Sequence, residues 1–170
     1  MGGGPFPGEL REAAGEYLRR RGNEFGTVTG RPRRCGWFDA VAVREAVRWN
    51  GVEALALTKL DVLDAFESIP ICVAYRWRDQ ILDSLPDDIE VFAECEPVYE
   101  SLPGWQTETA GIVAEDQLPV GAKRYVGRIE ELLGVPVVLI STGPRREETI
   151  FRSQGFFTRW LGGKLPFDRG

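Results

Sequence analysis

Three short stretches hold the residues that could do chemistry. The first is Gly22–Trp37, GNEFGTVTGRPRRCGW, which puts four glycines, two threonines, one proline and the arginines Arg31, Arg33 and Arg34 into sixteen residues. Glycine lets a backbone come close to a ligand, hydroxyls and backbone N–H groups bond anionic oxygens, and a guanidinium grips a carboxylate or phosphate in a two-pronged fork. Such a loop reads either as an anion-binding loop or as a solvated basic turn. The second stretch is Thr58-Lys59-Leu60-Asp61, at the end of the apolar run EALALT. Its lysine stem can lie along a flat base, and its carboxylate can accept from two N–H donors at once. The third is Ser141-Thr142-Gly143-Pro144, a small-residue loop after the run VPVVLI, open to reading as a binding loop or as a plain turn. There is no histidine in the 170 residues. Ser-His-Asp and Cys-His catalysis and His-ligated metal sites are therefore excluded from this chain, and acid–base work falls to carboxylates, Lys or Tyr, or to another chain.

The elements that must carry these stretches follow from periodicity. Leu10, Ala13, Ala14, Tyr17 and Leu18 recur three and four apart, which predicts a helix over Glu9–Arg21. Its closing arginines, Arg19–Arg21, suit the negative end of a helix dipole, with Gly22 as the stop. Phe38–Trp49 reads as a second helix, with Asp39 as cap and Asn50-Gly51 as terminator. Glu53–Thr58 and Ile69–Trp77 read as strands, Asp79–Pro86 as a turn-rich connection, and Ile89–Tyr99 as a further strand or pair of short strands. Thr107–Gln117 is polar and irregular. Pro119–Leu133 is an amphipathic helix with an apolar face of Ala122, Tyr125, Val126, Ile129, Leu132 and Leu133, ended by Gly134. Val135–Ile140 reads as a central strand. Strands alternating with helices predict an α/β fold with helices packed on a central sheet.

Composition narrows the class. A net charge of -5 and a pI near 5.0, with one short basic cluster, do not make the broad positive face of a nucleic-acid binder. No apolar run approaches the roughly 20 residues of a membrane span, and MGGGPFPGEL lacks the basic and apolar regions of a signal peptide. Cys35, Cys72 and Cys95 are far apart and odd in number, which argues for a reducing, cytoplasmic setting rather than a disulfide framework.

In series, these segments resemble the adenylosuccinate synthetase family. Thr27–Trp37 is similar to that family's TxTGRPRRCGW loop, and Gly2–Leu10 to GxGPFPTEL, with Gly8 where the family has Thr. Lys59–Asp61 resembles its KLD guanine site, a form of the NKxD element in which Asp accepts from guanine N1–H and N2–H and adenine cannot match it. Pro97–Trp105 resembles PVYEELPGW, its aromatics reading as packing residues, and Ser141–Arg145 resembles the last nucleotide loop. The likeness runs over residues 1–150 in one register and fades in the tail, 151–170, which reads as poorly ordered or packed against a partner.

The resemblance implies the C-terminal part of a large mixed, mainly parallel-sheet GTP-binding fold. It implies a GTP-dependent ligation of IMP and L-aspartate to adenylosuccinate, with Mg²⁺ in the full enzyme and no metal ligand in this chain. Thr27, Val28, Thr29, Gly30, Arg31, Pro32 and Arg33 would form the aspartate loop. Arg31 and Met1 would reach IMP, Arg33 would stand by the transferring phosphate, and Lys59, Leu60, Asp61, Ser141, Thr142 and Gly143 would hold GTP. Val28 replaces the usual Thr and removes one hydroxyl. The family's glycine-rich phosphate loop, catalytic Asp and catalytic His have no counterpart here, so the N-terminal portion of the enzyme, in a cytoplasmic homodimer, is the expected partner. The alternative is a guanine-nucleotide or anion-binding module without turnover.

Overall fold

The structure is a computed structural model and describes residues 3–152 and residue 156. Met1, expected at IMP, and residues 153–155 and 157–170 of the tail lie outside the described residues.

Helix α1 is Ala13–Arg21, four residues shorter at its start than the periodicity predicts. Glu9 and Leu10 are held elsewhere: Glu9 forms an antiparallel bridge with Gly36, and Leu10 N donates to Cys35 O at 2.8 Å. The backbone of Gly15 presses on the Leu10 carbonyl so closely that any Cβ would collide. Strand β1, Phe38–Asp39, takes the first two residues of the expected second helix. Helix α2, Ala40–Asn50, begins where the Asp39 carboxylate accepts from Ala42 N at 3.0 Å and ends at left-handed Gly51.

Strand β2 is Leu55–Leu57, and β3 is Ser68–Trp77. The turn-rich connection contains a short return strand, β4, Gln80–Leu82, after Arg78 turns the chain at φ 54°. Part of the segment expected as a strand is instead helix α3, Ile89–Glu94: the Asp88 carboxylate accepts from Glu90 N at 2.7 Å and nucleates the turn. Strand β5 then runs over Glu96–Pro103. Helix α4, Val120–Leu133, stops at left-handed Gly134, and its buried face is Ala122, Tyr125, Val126, Ile129 and Leu133. Strand β6 is Val137–Ser141, and β7, Thr149–Phe151, returns beside it; nothing in its three residues marks it as a strand apart from that neighbour.

The fold is mixed α/β, and the strands of the described residues lie in two sheets. In one, β3 pairs parallel with β1 and antiparallel with β4 and β5. In the other, β6 is central, parallel to β2 and antiparallel to β7. The two sheets share one apolar core: Ile69 and Ile71 of β3, Val137 and Ile140 of β6 and the buried face of α4 belong to a single cluster. The parallel β2–β6 pair matters most for the site. Parallel neighbours end on the same side, so the residues following β2 and β6 emerge together at the carboxyl ends of the strands, where open α/β sheets bind ligands. Those residues are Thr58–Asp61 and Ser141–Gly143.

Candidate functional site

The basic stretch folds back as a hairpin. Arg33 N donates to Glu24 O at 2.9 Å, Phe25 bridges Pro32, and Gly26 N donates to Arg31 O at 2.8 Å. Gly30, at φ 63°, closes the tip in a conformation that suits a residue without Cβ. Thr27, Val28, Thr29, Gly30, Arg31 and Pro32 are exposed, and Val28 at 96 % is almost entirely in solvent. Thr29 Oγ1 accepts from Arg31 N at 3.4 Å. The Arg31 guanidinium makes no ion pair among the described residues.

The neighbouring arginines serve as fastenings. Arg19 Nε donates to Arg33 O at 2.8 Å, an anchoring contact consistent with the helix-end reading of Arg19–Arg21. Arg34 reaches Gly4 O at 2.8 Å and Glu9 at 3.0 Å, with its guanidinium over the Phe6 ring. Arg33 differs from both. Its Nη1 donates to Glu24 Oε2 at 2.8 Å, while its Nε is buried and makes no hydrogen bond among the described residues.

Lys59 adopts left-handed φ 62°, uncommon for a residue with a side chain. Three bonds hold it there. Its backbone N–H donates to Ser141 Oγ at 2.9 Å, its Nζ donates to Gly22 O at 2.6 Å, and Nζ also pairs with Glu24. Glu24 therefore receives both Arg33 and Lys59. The hydrogen bond from Lys59 is the largest influence on the Glu24 carboxyl, which is held below its ordinary value. A cleft of about 350 Å³ lies among Leu18, Glu24, Arg33, Trp37, Lys59 and Tyr125. A second hollow, of about 590 Å³, lies under the hairpin against Phe6, Thr29, Arg31 and Arg33.

After Lys59 the chain enters a 3₁₀ turn, Leu60–Leu63, with Leu60 buried in the core and Asp61 half-buried. Burial is the main influence on the Asp61 carboxyl and raises it, with Arg21 acting in the opposite sense. Asp61 makes no ion pair among the described residues. Asp64, three positions on, is consumed internally: it accepts from Trp105 Nε1 at 2.7 Å, Thr109 N at 2.8 Å and Thr109 Oγ1 at 2.7 Å.

In the third stretch, Ser141 faces Lys59 and Thr142 faces inward. Thr142 is fully buried; its hydroxyl donates to Ile112 O at 2.8 Å and its N–H to Glu148 O at 2.9 Å, so both donors shape the loop. Gly143 lies against the Glu148 carboxylate, where any side chain would collide. Glu148 is fixed there by Arg145 N at 2.8 Å and the Arg145 guanidinium.

The three stretches named from the sequence thus meet in part. Lys59 bonds Ser141 directly and shares the Glu24 carboxylate with Arg33, while the tip residues Thr27–Pro32 share no bond with Lys59 or Ser141. Glu24, which makes the junction, was not among the residues singled out. It is the one carboxylate inside Gly22–Trp37, and that isolation among cations was a usable signal. Among the described residues no group of three or more acidic or thiol side chains is placed to hold a metal ion.

This is a mixed α/β protein with basic and small-residue loops gathered beside the carboxyl ends of a parallel strand pair. Residues 1–150 match the family Adenylosuccinate synthetase. The chain is 56 % identical over 156 residues to adenylosuccinate synthetase of Geotalea uraniireducens, covering 92 % of this chain and 36 % of that protein. It is 57 % identical over 152 residues to the one of Nitrosomonas eutropha, covering 88 % and 35 %. The solved structure of fully ligated adenylosuccinate synthetase from Plasmodium falciparum superposes with a TM-score of 0.85 at 39 % identity, over 90 % of this chain and 37 % of that one. The chain belongs to the adenylosuccinate synthetase family, and it spans little more than a third of the length of the curated relatives it matches. No helix among the described residues is long and apolar enough to cross a membrane.

Proposed function

We propose that this chain is the guanine-reading and aspartate-binding portion, C-terminal in the whole protein, of a ligase that joins IMP and L-aspartate at the expense of GTP. The observation that carries this is the bond between Lys59 N and Ser141 Oγ at 2.9 Å, together with the sharing of Glu24 by Lys59 and Arg33. It unites three stretches that each have the right chemistry for one part of the task. The C-terminal assignment rests on the resemblance and on what the chain lacks: no GxxxxGK[ST] phosphate loop and no histidine occur in it.

In this reading the unpaired Asp61 carboxylate accepts guanine N1–H and N2–H, the Lys59 stem lies along the base, and Ser141 and Gly143 border it. Leu60 anchors the turn from below, and Thr142 holds the loop's shape through its two inward donors. Thr27, Thr29, Gly30 and Arg31 on the hairpin tip take the carboxylates of aspartate, Arg31 also faces IMP, and Pro32 and Val28 complete the loop. The Arg33 guanidinium, whose Nε has no hydrogen-bond partner among the described residues, stabilises charge on the phosphoryl group as it transfers. In this reading Mg²⁺ belongs to the full enzyme, and this chain's residues hold the base, the aspartate and the transferring phosphate. The homodimer and the cytoplasmic setting go with this reading and rest on the resemblance.

The test is a chimera in which residues 1–150 replace the matching portion of the Geotalea enzyme. Adenylosuccinate formation from IMP, aspartate and GTP is expected of the chimera and not of the 170-residue chain alone. A folded chimera that neither binds GDP nor turns over would refute the assignment, and turnover by the chain alone would refute the division of labour.

A further inference from the structure

We propose that Glu24 is a positioning residue that couples the arginine hairpin to the guanine-reading turn. The inference rests on the reading of the site given above. Glu24 lies on the hairpin, its backbone oxygen accepting from Arg33 N at 2.9 Å, so the carboxylate moves with that loop. Each of its oxygens has a different partner: Oε2 takes Arg33 Nη1 at 2.8 Å, and Oε1 takes Lys59 Nζ. The lysine belongs to the other loop, 35 positions away. Arg33 and Lys59 have no direct bond between them, so the carboxylate is their shared link.

Stability alone is a poor account of this arrangement. The side chains of Glu24, Arg33 and Lys59 are 25 %, 38 % and 44 % exposed, and ion pairs at such exposure add little to folding. What the carboxylate does determine is geometry. Lys59 is in a left-handed conformation that persists only when its surroundings over-determine it, and Glu24 is one of the three groups that do so. Asp61 follows two residues later in the 3₁₀ turn that Lys59 opens, so its direction depends on that conformation. On the other side, the orphaned Arg33 Nε marks a guanidinium that is only half engaged. An anion that takes Arg33 competes with Glu24 for it and leaves Glu24 bound to Lys59 alone. Occupation of the hairpin therefore alters the hold on Lys59, and guanine binding at the turn alters the hold on Arg33. Coupling of this kind is reciprocal by thermodynamic necessity.

The test is a double-mutant cycle on GDP affinity, in the chimera described above. Lys59→Ala and Arg33→Ala are measured singly and together, first with Glu24 present and then in a Glu24→Gln background, which keeps the shape and removes the charge. With Glu24 the double variant is expected to lose less affinity than the product of the singles, by roughly threefold or more; in Glu24→Gln the two losses should multiply. Glu24→Asp, which keeps the charge on a shorter arm, should restore part of the non-additivity and serves as the second background if Glu24→Gln folds poorly. Effects that multiply in both backgrounds, or the same non-additivity in both, would overturn the coupling. A purely structural Glu24 would shift the melting temperature while leaving the non-additivity in place. Absence of GDP binding by the unsubstituted chimera would instead bring down the reading of the site, and this inference with it.

Discussion

The backbone N–H of Lys59 donates to the hydroxyl of Ser141 at 2.9 Å, across 82 positions of sequence. One hydrogen bond thereby holds together the two loop ends that the parallel β2–β6 pair delivers to the same side. Ser141→Ala leaves the Lys59 N–H, which is close to the surface, without its protein partner. The expected cost is about 0.5–1.5 kcal/mol in stability, read from urea unfolding. Because the bond holds a left-handed Lys59, GDP affinity in the chimera should fall about three- to tenfold, a larger effect than the loss of one contact at the base edge. An unchanged GDP affinity would separate Ser141 from the guanine-reading role proposed for the Lys59–Asp61 turn.

Asp61 and Asp64 make opposite predictions although they are three residues apart. Asp61→Asn removes a carboxylate with no ion pair among the described residues. No ion pair is broken, so stability should change by less than about 0.5 kcal/mol. Discrimination should change more. The new amide presents a donor to a donor on guanine, and XDP, which offers an acceptor there, should gain on GDP by roughly ten- to a hundredfold in competitive binding. An unaltered ratio of GDP to XDP affinity would remove Asp61 from the nucleotide site.

Asp64→Asn should behave in the reverse way. Its two oxygens accept three donors from Trp105 and Thr109 in a buried setting, and an amide nitrogen in place of either oxygen faces a donor. A loss of about 2–4 kcal/mol in unfolding free energy is expected, with no effect on the GDP-to-XDP ratio in whatever fraction stays folded. Trp105→Phe should lose less, since it removes one donor and leaves the other two bonds intact.

Cysteine chemistry gives a readout of the cleft without any ligand. Cys72 and Cys95 are buried, and Cys35 is half-buried on the wall of the 350 Å³ cleft. Native chain should therefore release one equivalent of chromophore from a disulfide reagent rapidly and all three only in denaturant. Burial is the main influence on the Cys35 thiol and raises it above its ordinary value of 9.0, so the native rate should keep climbing with pH beyond 9. Cys72, pushed up to about 12 chiefly by burial, should stay silent over that range. Rapid labelling of two or three thiols in the native chain would contradict this packing.

Acid should loosen the Glu24 junction. Its carboxyl is held below the ordinary 4.5 in the folded chain, with the Lys59 hydrogen bond the largest cause. The folded state thus binds its proton less readily than the unfolded one. The contribution to stability is present above about pH 4.5 and is lost as pH falls through the lower folded value. Between neutral pH and that range, Glu24→Gln should lose its stability deficit relative to the unsubstituted chain, the two melting temperatures converging on acidification. A deficit that stays constant with pH would mean that the charge on Glu24 contributes nothing.

Much of the fold was legible because its signals are local. The apolar face of α4, its stop at Gly134, the Asp39 cap of α2 and the strands β2, β3 and β6 all follow from period and punctuation. The failures have non-local causes. Glu9 and Leu10 read as helix, yet they are taken by backbone bonds to Cys35 and Gly36. Phe38 reads as helix and is drawn into pairing with Ile71. Ile89–Glu94 reads as strand, and the Asp88 cap makes it a helix. In the candidate site, residue type pointed to the arginine hairpin, Lys59 and Ser141. It could not separate Asp61 from Asp64, or an inward Thr142 from a Ser141 that meets Lys59, because that difference depends on partners 30 to 82 positions away.

The parallel pairing of β2 with β6 also sets an order of events during folding. Leu55–Leu57 can meet Val137–Ile140 only after a long loop closes, whereas β6 and β7 join through a short connection and α4 forms from contacts within itself. Loop closure over such a distance is an entropic hurdle crossed late. Helical circular dichroism should therefore recover on refolding before the Lys59–Ser141 junction does. The side of this chain that carries Lys59, Asp61 and Ser141 is the last part to become itself.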